Sequence, residues 1–242
     1  MSLAFLTPIE TAVARSPMER EALAAGARLE RRDGWNVAVA FEGHSEEVER
    51  ETVGFADFSW LAKLEIQAAP AELAAIVATC AGGERLRLGG ATRAGEAWWC
   101  PFTPERALVL CAPSVAATLR DRLKEAAGSV RGLASVVDVT TAHGALTIVG
   151  PHAAELFARF TAIDLRPQVT PVRAFRPGSV ARTPGAILRE AGDRYLMLFG
   201  AALGGYVWTV VADAAESLGG RPVGVDALPP LQARAEEATA HA

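Results

Sequence analysis

The chain has 242 residues, with 24 Lys and Arg against 28 Asp and Glu and a formal net charge of −4. That length suffices for one large or two small domains with a sizeable core, and the acidic balance argues against a nucleic-acid partner, which wants a basic patch. Half of the residues are apolar, yet no window approaches the roughly eighteen uninterrupted apolar residues of a membrane span. The first residues carry no basic flank and meet Pro8 and Glu10 too soon for a signal peptide. Cys80, Cys100 and Cys111 are odd in number and lack metal-type spacing. They point to free thiols in a reducing, cytoplasmic setting and to no metal site.

In chain order, Ser16-Pro17 predicts an N-cap followed by proline at the first helical position, and Glu19 completes a capping box. This first element lies within residues 16–30, with Gly26 as its expected stop. Residues 34–41 alternate as a strand. Residues 45–51 read as a capped helix, acidic at its start where the dipole favours it.

A unit that occurs twice comes next. Asp57-Phe58-Ser59 leads into an alternating apolar run that closes on Ala69-Pro70, and helix-forming residues follow. Asp138-Val139-Thr140 leads likewise to Gly150-Pro151 and a second helical segment. Each copy opens with a carboxylate, an apolar residue and a hydroxyl. Proline suits the first helical turn, where its missing N–H has no intrahelical partner anyway. The unit reads as turn, strand, helix, with each aspartate expected to accept backbone N–H bonds from its turn.

Between the copies, residues 70–80 predict a helix and residues 85–88 a short strand before Gly89-Gly90. Residues 98–100 and 107–111 predict strands paired around a Pro104-Glu105 turn, and Ser114 caps a helix that runs to about Ala127 and stops at Gly128. Further on, residues 193–199 predict a strand and Gly205 opens a helix to Leu218.

Ser16-Pro17-Met18, Gly26-Ala27-Arg28, Gly34-Trp35, Glu47, residues 54–59, Lys63-Leu64-Glu65, Asp138-Val139-Thr140, Gly150-Pro151-His152-Ala153 and residues 222–228 together resemble the aminomethyltransferases. These are the T proteins of the glycine cleavage system, with relatives among sarcosine oxidase gamma subunits and folate-linked demethylases. The resemblance rests on order and spacing over nearly the whole chain. It implies an α+β fold of two antiparallel-sheet domains with packed helices. One domain would be discontinuous, built from residues 1–60 and 135–230, and the other a ferredoxin-like insert over 61–133. A polar tail, 231–242, would follow, and the β-barrel third domain of the transferases is expected to have no counterpart.

The resemblance also implies a cavity for tetrahydrofolate, with candidate ligand contacts at Trp60, Leu61, Trp98, Arg189 and Tyr195. The transferases place a pair of aspartates near the reacting folate nitrogen, where the carboxylate must be within hydrogen-bond reach. Here the corresponding stretch is Gly95-Glu96-Ala97, and Glu96 is the candidate catalytic carboxylate. Two other determinants depart from the pattern. The turn after Arg189-Glu190 is shortened and lacks the pterin-contacting glutamate, and Leu228 and Pro229 stand where an arginine and an aspartate are expected. A buried polar edge left unpaired costs about 1–3 kcal/mol per group, so tetrahydrofolate is expected to bind weakly if at all.

Two functions follow as expectations. One is a non-catalytic or degenerate relative, most like a sarcosine oxidase gamma-type assembly subunit that joins another subunit or a second copy of itself. The other is a small-molecule enzyme, a minimal or repurposed folate-linked one-carbon transferase. The assembly reading expects bare apolar surface near Val223, Val225, Leu228 and Leu231, with Trp98 and Trp99 adding to it.

Overall fold

The computed structural model describes residues 13–42 and 52–228. The helix expected over 45–51, together with Pro229, Leu231 and the polar tail, lies outside the described residues. Ser16 Oγ accepts the N–H of Met18 at 3.0 Å, and α1 (Glu19–Ala24) follows. Gly26, at φ +87°, supplies the left-handed residue that ends it. The chain turns at once into β1 (Ala27–Arg32), so the first element is shorter than the sequence suggested. The charged run Arg28 to Arg32 hides a strand because β1 is paired only with β2 (Trp35–Phe41) and is partly exposed along its length. Asp33 and Gly34 both have positive φ, as two-residue hairpin turns require.

Eleven further strands form two sheets. The first is β4 (Ala62–Ala68), β5 (Thr92–Ala94), β6 (Ala97–Thr103), β7 (Arg106–Cys111) and β8 (Ala134–Asp138), ordered β5-β6-β7-β4-β8 and antiparallel throughout. The second contains β3 (Gly54–Asp57), β9 (His143–Val149), β10 (Phe175–Val180), β11 (Thr183–Ala191), β12 (Arg194–Gly200) and β13 (Arg221–Pro222). Its order is β10-β11-β12-β9-β3-β13, antiparallel except where β13 runs parallel to β3.

Helices α2 (Pro70–Cys80) and α3 (Pro113–Ser129) cover the outer face of the five-stranded sheet, and α1, α4 (Ala153–Ala158) and α5 (Gly204–Glu216) cover that of the six-stranded sheet. Three apolar layers result. Ile76, Leu123, Ile66 and Val109 fill one outer layer; Phe55, Ile148, Met197 and Trp208 fill the other. Leu108, Leu110, Leu188 and Leu196 meet between the sheets. Central strands are therefore apolar on both faces, which is why β7 and β12 read as continuous apolar runs rather than alternating ones.

Residues 85–88 form no strand; Leu88 is exposed, and Gly89 turns at φ +83°. Pro113, not a Ser114 cap, opens α3, and Gly128 falls inside its last turn. The bare apolar surface expected near the C-terminal motif is absent at Val223, Leu228 and Trp98, which are buried between the sheets. Trp99 is buried on the opposite face, under the helices. The three cysteines are free and buried. Among the described residues no helix is long and apolar enough to cross a membrane.

Candidate functional site

The two sheets are joined where the repeated unit crosses itself. Asp57 Oδ1 accepts the N–H of Ser59 at 2.9 Å, and Asp138 Oδ1 accepts that of Thr140 at 3.0 Å. Each hydroxyl then reaches the other copy: Ser59 Oγ accepts the N–H of Ala145 at 3.1 Å, and Thr140 Oγ1 accepts that of Lys63 at 3.0 Å. The backbone repeats the exchange, with Phe58 N–H on Ala145 O and Val139 N–H on Lys63 O, both at 2.9 Å. Likewise β3 pairs with β9 and β8 with β4, so each copy's first strand belongs to the sheet of the other's second.

Lys63 is buried at this crossing, its Nζ donating to the carbonyls of Ser59 at 2.9 Å and Leu61 at 2.8 Å. Burial pulls its pKa down to about 8, partly offset by Asp57 and Asp138. Burial pushes the Asp57 carboxyl up, against hydrogen bonds from Ser16 and Ser59 and the charge of Lys63.

Beside the first turn lies a cavity of about 430 Å³. The turn contributes Phe58, Trp60 and Leu61; the β5–β6 hairpin contributes Arg93, Glu96 and Trp98. Phe58 and Trp60 lie with ring centroids 5.5 Å apart. Arg93 is the cross-strand partner of Trp98, and its guanidinium carbon stands 5.4 Å from that ring's centroid. Gly95, at φ +57°, turns the hairpin and leaves Glu96 exposed at its tip. The far wall is Arg194 from β12 with Val225, Asp226 and Leu228. Gly224 admits that wall, because a Cβ there would come within 1.9 Å of Val39 O.

The charges around the cavity are unequally committed. Arg32 grips Asp226 through both guanidinium nitrogens, one of them at 2.7 Å, which holds that carboxyl below its usual range. Arg194 Nε donates to Glu190 Oε2 at 3.0 Å, behind the cavity wall. Burial raises the Glu190 carboxyl, with Arg194 and Arg93 opposing. Arg93 has no carboxylate at salt-bridge distance among the described residues, and burial lowers its pKa. The indole N–H groups of Trp60 and Trp98 are buried without an acceptor. Cys111 also lines the space, but burial pushes its thiol up to about 11, far from thiolate chemistry. Among the described residues no group of His, Cys, Asp and Glu could hold a metal ion.

The structure thus brings Trp60, Leu61, Trp98 and Glu96 together on one cavity and places Arg189 and Tyr195 elsewhere. Both side chains lie on the helix-facing side of the six-stranded sheet. Arg189 donates to Thr170 O at 2.7 Å and to Gly192 O at 2.7 and 2.9 Å, and Tyr195 packs edge-on against Phe157. Arg93, Arg194, Arg32 and Asp226 line the cavity too, although their sequence context does not single them out as site residues. Only Arg93 left a local signal: a basic residue alternating with a tryptophan around a Gly-containing hairpin turn.

No protein-family model matches the chain, nor does any curated protein. Among solved structures, a chain of the heterotetrameric sarcosine oxidase from Corynebacterium sp. U-96 superposes with a TM-score of 0.65 at 21% identity, covering 85% of this chain and 96% of that one. Glycine cleavage system aminomethyltransferase T from Bartonella henselae gives a TM-score of 0.72 at 16% identity, over 89% of this chain and 60% of that one. The fold is aminomethyltransferase-like. At these identities the likeness carries architecture and not activity. The aminomethyltransferase-like chain spans less than two thirds of the Bartonella protein.

Proposed function

We propose that this chain is a non-catalytic or degenerate relative of the tetrahydrofolate-dependent aminomethyltransferases, acting as an assembly subunit comparable to a chain of a sarcosine oxidase heterotetramer, in a cytoplasmic setting. The observation that carries this reading is the state of the carboxylates on the cavity. A one-carbon transfer needs an ionisable group held against the reacting nitrogen. Asp226 is clamped by Arg32, and Glu96 stands out in solvent at a hairpin tip. A reduced pterin presents a row of N–H donors along one edge, which calls for buried acceptors. The cavity offers three arginines, and of its two carboxylates Asp226 is held by Arg32 and Glu96 stands at the rim. Its lining is a poor match for tetrahydrofolate.

Titration calorimetry with tetrahydrofolate tests it. The expected affinity is weaker than about 1 mM, near −4 kcal/mol or less favourable. Micromolar binding would overturn the proposal in favour of a folate-linked transferase. The cavity itself, with Glu96 at its rim, favours that second reading, and Glu96→Gln should then abolish turnover.

A further inference from the structure

The mismatch between the cavity and a pterin has a positive side. Its walls are mostly apolar and aromatic, and within them one cation makes no direct ion pair, although Glu190 and Glu96 lie close enough to act on its charge. Arg32 is committed to Asp226 and Arg194 to Glu190. Arg93 is half-buried, stacked on Trp98, and has no carboxylate at salt-bridge distance among the described residues. Its guanidinium opens onto the cavity, and its planar fork matches a carboxylate in a bidentate pair. Trp60 and Trp98 line the same space and present their ring faces to it as apolar wall.

We propose that this cavity binds a compact aromatic or apolar monocarboxylate, its carboxylate taken by Arg93 and its body packed against Phe58, Trp60 and Trp98. The apolar walls argue against a strongly hydrated inorganic anion, which would lose its water to few compensating donors. Glu96, three residues from Arg93 on the hairpin turn, opposes a second acidic group on the ligand. One negative charge on an apolar body is the ligand this arrangement suits.

Benzoate and phenylacetate are the probes, with benzamide as the uncharged match, followed by calorimetry and tryptophan fluorescence on the full chain. At least one acid binds, benzamide binds about tenfold more weakly or worse, and Arg93→Gln loses about tenfold or more of the acid's affinity. Arg93→Lys, which keeps the charge and loses the fork, falls between, and thermal unfolding shows whether each variant is folded. An unfolded Arg93→Gln leaves the test to Arg93→Lys, which must still weaken the acid relative to benzamide. No binding of either acid, equal binding of benzamide, or undiminished affinity in the folded variants would each overturn the proposal. Inorganic phosphate displacing the acid at equal concentration would overturn the apolar part of it. Micromolar tetrahydrofolate displacing the acid would instead make Arg93 a folate contact, and would sink this proposal and the assembly reading together; loss of acid binding alone leaves the assembly reading intact.

Discussion

Lys63 is the residue at which burial and charge are most directly opposed. It sits at the crossing of the repeated turns with two carbonyl acceptors and two nearby aspartates, yet burial dominates and brings its pKa from 10.5 to about 8. In the unfolded chain the same lysine keeps its proton to about pH 10.5. Between pH 8 and that value the unfolded state therefore binds more protons than the folded one, and stability rises with pH across the window. Below pH 8 both states are protonated and the cost of the buried charge is constant. Denaturant unfolding at pH 8 and pH 10, compared between the wild type and Lys63→Met, measures the effect. The wild type should gain roughly 1–3 kcal/mol relative to the variant over that interval, whereas parallel curves would show that Lys63 titrates as an exposed lysine does.

At the scale of elements, the crossed turns form one joint with two unequal halves. Asp57 and Asp138 make the same bond to the residue two positions on, but Asp57 is buried beside Lys63 and Asp138 is exposed. Asp138→Ala should cost about 1 kcal/mol, as a lost cap does. Asp57→Ala also strands the lysine's buried charge and should cost about 3 kcal/mol or more, while Asp57→Asn keeps the turn bond and separates the two contributions. Equal losses at the two positions would remove Lys63 from the account. The joint was legible in sequence because carboxylate, apolar residue and hydroxyl recur in order, and because proline follows each strand. Its crossing was not, since pairing β3 with β9 and β8 with β4 is decided by the packing of two sheets. The same limit applies to the cavity. Trp60, Leu61 and Trp98 stand next to turn residues that draw notice, whereas Arg32 and Asp226 are 194 positions apart and meet only after folding. Arg194 opens an apolar strand and looks like its solvent-exposed end until β9 and β11 enclose it. Arg189 misled for the converse reason: one register step on β11 turns it toward the helices, away from Glu190.

For the whole molecule, the proposed assembly has to be reconciled with a C-terminal motif that is already buried. Val223 and Leu228 pack between the sheets, so a partner has to engage a different surface. The five-stranded sheet ends at β8, whose outer edge has no strand partner among the described residues. Leu133, which leads into it, is 96% exposed, and Val137 within it is 49% exposed. An open edge strand carrying apolar side chains offers both backbone hydrogen bonds and area for burial, a combination that monomers ordinarily blunt with charge or proline. The chain drawn from its natural source should therefore travel in a complex heavier than its own 25.4 kDa, with a defined second subunit at fixed stoichiometry by native mass spectrometry. Val137→Lys should weaken that complex by about tenfold or more, since a buried unpaired charge at an interface costs well over the 1.4 kcal/mol that tenfold represents. The variant's own unfolding midpoint should stay unchanged, because the position is exposed in the isolated chain. A complex that forms equally well with Val137→Lys would move the contact to another face, and a 25.4 kDa species with no companion would end the assembly reading.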